Sequence, residues 1–313
     1  MENKLLTICI PTYKRAKELD YSLSCFEREL KTVDASLLEF SISDNCSPDN
    51  TGEVVGKYIK KGLPIIYSRN DTNIGPDNNF LKCFYAAKSK YLWLLGDDDY
   101  LLEGKLKVIL DILQTNDIGC LNLKNPQNCA IGVYKFDDNQ KFITKVGHFF
   151  TFMSANIIRS ESVKNTKVDE ALRRSNLLQM PFFIDSTLSM NQNVLVKGEF
   201  FEKSDDDSNG GYNFFNVFVR NYLEIWNSYR KSGRIKKLTY WTLKRRLLWN
   251  FVMPFITHFH IQNRFPNMDR KEEWKTFWSY YWYEPYAYVY FLKIPYILYK
   301  DKYYNFLHER IDS

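Results

Sequence analysis

Five apolar residues run straight into three carboxylates in the stretch Tyr91-Leu92-Trp93-Leu94-Leu95-Gly96-Asp97-Asp98-Asp99. Few folds accommodate such a junction. A bounded apolar run of this length, with the β-favouring Tyr91 and Trp93 in it, predicts the central strand of a sheet covered on both faces. Adjacent aspartates at its exit repel one another and resist desolvation. At least one is therefore pushed toward its protonated form unless a cation is shared between them. A hard divalent ion with oxygen ligands, Mn²⁺ or Mg²⁺, suits the cluster, and such ions commonly take substrate phosphate oxygens as well. The competing explanation is a solvated acidic turn without a ligand.

The flanking chain alternates between two periodicities. Residues 5–10 predict a strand closed by Pro11, and Leu19, Leu23, Phe26 and Leu30 mark one face of a helix over 16–31. Phe40–Ser43 predicts a second strand ending at Asp44, with Thr51 capping a helix that runs to about Lys60. A third strand over 64–67, a loop over 70–78 holding Gly75 and Pro76, and a helix over 79–88 lead to the central strand. A helix over 103–114 and a strand over 118–123 extend the series. This order predicts an α/β fold with a mostly parallel sheet and helices on both faces. Ligand sites in such sheets lie outside the carboxyl ends of the strands. The segments 11–15, 44–50, 70–79 and 97–99 are thus expected to converge on one rim.

Beyond residue 124 the pattern weakens. Loops with short strands are expected to 150, a return strand over 152–158, a helix over 161–175 opening at Ser160, and a strand over 194–201. Asp185 sits in an apolar stretch of mixed character. The polar, Gly-rich stretch 204–211 reads as a mobile loop. Helices are expected at 212–230, 238–262, 269–282 and 286–299. The implied organisation is a domain over 1–202, a mobile loop over 203–211 and a helical region over 212–313.

Charge separates these parts. Residues 230–313 hold 16 Lys and Arg against 7 Asp and Glu, whereas the rest hold 27 against 30. Aromatics concentrate in the same tail, where 16 of the 33 residues from Trp274 to Phe306 are Phe, Tyr or Trp. Amphipathic rings beside Arg234, Lys236, Lys237, Lys244, Arg245 and Arg246 suit a membrane–water interface. The same rings could instead pack helices, line an acceptor groove or form a homo-oligomer contact. No recognisable nucleic-acid module accompanies the basic tail, so no nucleic-acid partner is expected. The six cysteines form no CxxC pair and are expected to be free thiols. His258 and His260, two apart on an expected helix, face different directions and are taken as structural; His148 and His308 stand in no motif. The chain enters its first strand almost at once and has no apolar run of 18 residues. A cytoplasmic protein is expected, at most peripheral on the cytoplasmic face of a membrane.

Four segments together, Thr7-Ile8-Cys9-Ile10-Pro11-Thr12-Tyr13-Lys14-Arg15, Ser43-Asp44-Asn45-Cys46-Ser47 with Asp49, Asn73-Ile74-Gly75 with Asn79, and Gly96-Asp97-Asp98-Asp99, resemble family 2 glycosyltransferases of the GT-A fold. The resemblance covers about residues 5–200 and is greatest to bacterial sugar transferases of O-antigen and capsule assembly, such as the abequosyltransferase-like group. It implies a nucleotide-sugar-binding fold with a C-terminal helical extension. It further implies that Pro11, Thr12, Tyr13 and Arg15 line the nucleotide pocket, that Asp44 bonds the base, and that Asn73, Gly75 and Asn79 flank base and ribose. Asp97 and Asp99 are implied metal ligands, Asp98 a ribose or metal contact, and Asp185, more loosely, the general base. Where many members read Asp-x-Asp-Asp, Gly96 stands in place of the first aspartate.

The expected activity is metal-dependent, inverting transfer of a sugar from a nucleotide-diphosphate donor to a hydroxyl of a glycan, lipid-linked for an O-antigen or capsule precursor. A non-catalytic glycan-assembly protein on the same fold is the alternative. A sugar nucleotidyltransferase is a further one, disfavoured because residues 11–15 hold no glycine.

Overall fold

The computed structural model describes residues 4–124, 130–202, 212–257, 269, 271–289, 291, 292 and 296. The chain divides into two compact units, Met1–Asp205 and Asp206–Ser313. The first is built on strands β1 (Leu6–Thr12), β2 (Leu38–Asp44), β3 (Ile65–Arg69), β4 (Tyr91–Leu94), β5 (Cys120–Lys124), β6 (Gly132–Phe136), β7 (Asn156–Arg159) and β8 (Asn193–Lys197). They form one sheet in the order β3-β2-β1-β4-β7-β5-β8-β6. Strands β3, β2, β1 and β4 are mutually parallel, β7 runs antiparallel between β4 and β5, β8 is parallel to β5, and β6 is antiparallel to β8. A mostly parallel sheet follows, with β6 and β7 reversed.

Burial explains why the middle strands read as unbroken apolar runs. Every residue of β1 and of β4 is buried, because helices cover both faces. Edge strand β3 is only partly covered. Helix α1 (Ala16–Glu29) turns its buried Leu19, Leu23 and Phe26 inward, where the Phe26 ring meets Phe40 edge-on at 5.0 Å and Trp93 at 6.5 Å. Each such side chain contributes roughly 1.5–3 kcal/mol by leaving water.

Helices α2 (Thr51–Lys60), α3 (Pro76–Ala86) and α4 (Lys105–Thr115) complete the parallel half. Several boundaries differ from expectation for local reasons. Strand β1 continues through Pro11, past Cys9, its last residue paired with β4. Thr51 is the first residue of α2 and not its cap, which is Asn50 without a side-chain bond; the Asp49 carboxylate accepts from the Thr51 N–H and hydroxyl, and it also reaches the Ala16 N–H that opens α1. Helix α3 starts at Pro76, since a proline costs nothing at a first helical position where the N–H has no partner anyway. Helix α4 is capped from outside: Glu29, buried at the end of α1, accepts from the Gly104 and Leu106 N–H groups at 2.7 and 2.9 Å.

The second half of this unit departs more. An α-helix, α5 (Asn139–Val146), stands where loops were expected, opened by Asp138 accepting from the Gln140 and Lys141 N–H groups. The expected helix over 161–175 is instead a 3-10 turn, Ser160–Asn165, and the single-turn helix α6 (Glu170–Arg173). Asp185 lies on helix α7 (Met180–Ser189).

The second unit is helical. Its helices are α8 (Tyr222–Lys231), α9 (Lys237–Leu247), α10 (Met253–Ile256) and α11 (Glu273–Tyr281); a π-helical segment, Phe215–Asn221, leads into α8, and another, Leu248–Val252, joins α9 to α10. Its core is aromatic: Phe214 stacks on Phe255, and Tyr222, Trp226, Phe277 and Tyr281 are buried. Lys244, expected on the basic surface, is buried among the rings of Trp241, Tyr280, Tyr281 and Tyr283, and burial pushes its amine down to about 8. Rings in this geometry attract the cation and replace part of its lost hydration. The expected mobile loop at 204–211 and the His258, His260 and His308 positions lie outside the described residues.

Candidate functional site

Because β1, β2, β3 and β4 are parallel, their exits open on one edge of the sheet, and the four expected segments meet there. The β1 and β2 exits are tied directly. Asn45 N–H donates to the Thr12 carbonyl at 2.9 Å, and Lys14 N–H to the Ser47 hydroxyl at 3.0 Å. Lys14 and Cys46 both adopt positive φ, 57° and 65°, without being glycine. Such residues cost of order 1 kcal/mol or more each and concentrate at sites where the surrounding structure fixes them.

The three aspartates leave β4 in different directions. Asp97 is 6% exposed; its carboxylate accepts from the Thr12 hydroxyl at 2.7 Å and lies 3.4 Å from Arg15 Nη1. Asp98 is more exposed and pairs with the same guanidinium. Asp99 accepts from the Ser154 hydroxyl. Burial pushes the Asp97 carboxyl up to about 7 and that of Asp99 up to about 6. By solvent exposure Asp97 is buried and Asp99 partly so. Among the described residues no group of three or more His, Cys, Asp and Glu side chains forms a ready-made metal cage. The aspartates do fit an ion that completes its shell with substrate phosphates: they are hard oxygen donors, two carry a desolvation penalty that a cation would relieve, and Arg15 is the cation beside them.

Asp44 is fully buried at the end of β2. Its Oδ1 accepts from Ser47 N–H at 2.8 Å; its Oδ2 accepts from the Tyr67 hydroxyl at 2.6 Å and lies 3.5 Å from Arg69 Nε. Burial and the Asp44 charge together push the Tyr67 hydroxyl far above its usual range, so it stays a donor. Asn79 and Asn73 are likewise engaged within the protein. Asn79 exchanges hydrogen bonds with Ser43 and accepts from Asn70, while Asn73 accepts from Asn45 and from Gly75 N–H. This amide network clamps loop 70–79 onto the end of β2. Gly75, at φ 82°, makes the turn into α3 that an L side chain would strain. Tyr13, by contrast, is exposed on the rim with the Lys14 ammonium over its ring.

Asp185 is not brought to this rim. Its neighbour Ser186 donates to the Gly119 carbonyl, just before β5, and accepts from Arg159 N–H at the end of reversed β7. Both positions lie on the edge from which the parallel strands start. Asp185 itself is buried there and accepts from the Thr166 hydroxyl at 2.8 Å. The loose match that suggested a base carried no spacing to fix its place on α7, and the helix direction puts it at the wrong end. A separate cleft of about 760 Å³, lined by Lys4, Ala87, Lys90 and Arg159 among others, opens on that same far edge and contains none of the expected site residues.

Ser154, Tyr67 and Arg69 were not legible as site residues. Each acts through one side chain on a partner far along the chain, which no local pattern reveals.

Comparisons with known proteins agree with this architecture. Residues 7–161 match the profile of the family described as Glycosyl transferase family 2. Abequosyltransferase RfbV of Salmonella typhimurium is 30% identical over 180 residues, covering 50% of this chain and 53% of the relative. The chain therefore spans about half the length of that curated relative. The solved structure of Staphylococcus aureus TarS 1–349 in complex with UDP superposes with a TM-score of 0.58 at 17% identity, over 86% of this chain and 77% of that one. Mannosyltransferase PcManGT from Pyrobaculum calidifontis in complex with GDP-Man and Mn²⁺ superposes with a TM-score of 0.51 at 12% identity, over 96% and 89%. At these identities the two structures show a shared fold.

Proposed function

The chain belongs, through residues 7–161, to glycosyl transferase family 2, and from that premise we propose that it transfers a sugar, with inversion, from a nucleoside-diphosphate sugar to a hydroxyl of a glycan. One observation carries the reading: the exits of β1, β2 and β4 place Arg15, Asp44 and the 97–99 turn on one rim, with the acidic turn held by Thr12 and Arg15. Abequosyl transfer by the Salmonella relative and the nucleotides held by the two structural neighbours support the same class of chemistry.

Asp97, oriented by Thr12, and Asp99, oriented by Ser154, would hold Mn²⁺ or Mg²⁺. When bound, the ion supplies positive charge to the two phosphates as the leaving group forms. Arg15 offers a guanidinium to the same phosphates, Asp98 reaches the ribose or the ion, and the exposed Tyr13 ring offers a face to the base. The amide network holds Asn73, Gly75 and Asn79 as the wall of the pocket, and Pro11, beside Ser43 in the sheet, would form its floor. Titration of the protein with UDP, CDP, GDP and TDP, with and without Mn²⁺, tests the reading. At least one is expected to bind, and its sugar conjugate to turn over; no binding by any of the four would exclude it.

An inverting transfer needs one base on the rim. Asp185→Asn is expected to leave turnover and donor affinity within about threefold, because the amide oxygen still accepts from Thr166. A loss of roughly 10²–10⁴-fold at unchanged stability would place Asp185 in the reaction after all.

The acceptor we propose is lipid-linked, with the second unit resting on the membrane surface. Rings beyond those packed in its core support this: Trp282 is 63% exposed and Tyr296 66%, with Tyr286 and Tyr288 also exposed. No helix among the described residues is long and apolar enough to cross a membrane. Lys236, Lys237 and Arg245 are exposed in the same unit, and anionic lipid attracts such residues by about 1 kcal/mol each. Sedimentation with anionic vesicles at low salt should exceed that of a variant with these three changed to Gln. Equal, negligible sedimentation of both would leave the rings as packing or oligomer contacts.

A further inference from the structure

Ser154 belongs to none of the motifs that point to the rim. It lies in the 3-10 turn Met153–Ala155, just ahead of β7, and is fully buried. Its hydroxyl accepts from Gly96 N–H at 2.9 Å and donates to the Asp99 carboxylate, and its carbonyl accepts from the Trp93 indole at 2.8 Å. One residue is thus bonded to the last part of β4, to the start of the acidic turn and to its final carboxylate. A hydroxyl has a single proton to donate. With one lone pair engaged by Gly96, the hydroxyl remains able to turn its proton to the Asp99 carboxylate, which stands within reach.

Gly96 supplies the other half of the arrangement. A Cβ at that position would stand 2.6 Å from Asp99 Oδ2 and 3.1 Å from Asp98 Oδ1. The Asp99 carboxylate folds back over the bare Cα of Gly96 to reach Ser154, and any side chain at 96 would displace it. The glycine is therefore a requirement of this particular turn. We propose that Gly96 and Ser154 act as a pair that fixes the direction of the Asp99 carboxylate, making Ser154 a positioning residue for metal and diphosphate binding. This rests on the functional reading above. Holding one Asp99 oxygen on a buried hydroxyl leaves the other to face an incoming cation, without loss of side-chain freedom at the moment of binding. The same bonds fasten the segment before β7 to the exit of β4, two stretches far apart in the chain.

Partners that orient a metal-binding side chain typically change metal affinity 10–100-fold when removed. The test measures Mn²⁺ affinity by calorimetry in the presence of a bound nucleoside diphosphate, nucleotide affinity without metal, and melting temperature. The proteins compared are the wild type, Ser154→Ala, Gly96→Ala and the double variant. Ser154→Ala is expected to weaken Mn²⁺ binding about tenfold while metal-free nucleotide binding stays within about twofold. Gly96→Ala, which leaves the buried serine in place, should weaken Mn²⁺ binding at least as much, and the double variant should lose less than the product of the two. Wild-type affinity for Mn²⁺ in folded Ser154→Ala, or fully multiplicative losses in the double variant, would overturn the pairing alone. Should Ser154→Ala fail to fold, wild-type Mn²⁺ affinity in Gly96→Ala would overturn it. A wild-type protein that binds neither nucleotide nor Mn²⁺ would overturn the functional reading and this one with it.

Discussion

Asp97→Asn is expected to lower sugar transfer at least about a hundredfold, a loss of about 2.7 kcal/mol of transition-state stabilisation, and Asp99→Ala to do the same. The variant should also become more stable than the wild type when metal is absent and the pH is high. Burial raises the Asp97 carboxyl from the ordinary 3.8 to about 7, with Asp98 and Glu18 adding to the shift and Arg15 and the Thr12 hydroxyl opposing it. A folded-state pKa above the unfolded one means that the native protein holds the proton more tightly. Its stability is then greatest below about pH 4 as far as this group is concerned, and is lost progressively as the pH rises through about 7. Above that, an ionised Asp97 costs on the order of 2–4 kcal/mol. Asn removes the charge and keeps an acceptor for Thr12, so its pH dependence should be flatter. Mn²⁺ with nucleotide should stabilise the wild type most at pH 8 and the variant little. Thermal melts from pH 5 to 8, with and without the ion, check this. Equal pH dependence of the two proteins would mean that Asp97 is not the desolvated group, and full turnover in excess chelator would remove the metal from the reaction.

Asp44→Ala should be the most destabilising single change at the rim. It leaves the Tyr67 hydroxyl, the Ser47 N–H and the Arg69 guanidinium facing an emptied, buried position. Unpaired buried donors cost about 1–3 kcal/mol each, and stripping a buried charge from its partners costs more. Arg69 is half exposed and recovers water, so a total of about 2–4 kcal/mol is expected, or roughly 5–12 °C in melting temperature. Tyr67→Phe removes one donor and should cost about 1 kcal/mol. Melting curves of the two variants separate a carboxylate that holds the β2 exit together from one free to serve a ligand. A melting temperature within 2 °C of wild type for Asp44→Ala would show that these contacts carry no weight.

Much of this molecule is written locally. The apolar run 91–95, the four-three-four spacing of Leu19, Leu23, Phe26 and Leu30, and the turn residues at strand exits predict a parallel α/β sheet with a common rim. Those signals depend on a few neighbouring residues and on the periods of strand and helix. They fail where length or direction is set by distant contacts. The helix expected over 161–175 breaks into a 3-10 turn and one helical turn, and α5 forms where loops were expected.

The roles of single side chains needed the tertiary structure. The motifs placed Asp44, Asn73 and Asn79 at the site, but only the fold shows that they are bonded to Tyr67, Asn45 and Ser43. Asp185 matched by residue type, and the direction of α7 against β5 and β7 carries it to the opposite edge. Lys244 counted toward a basic surface until packing enclosed it in aromatic rings. Gly96 is a gap in a familiar pattern, and in the fold the Asp99 carboxylate lies over it toward Ser154. A sequence carries periodicity and composition, which are properties of neighbours. Hydrogen-bond partners and burial belong to pairs separated by tens of residues, and the folded chain alone brings those together.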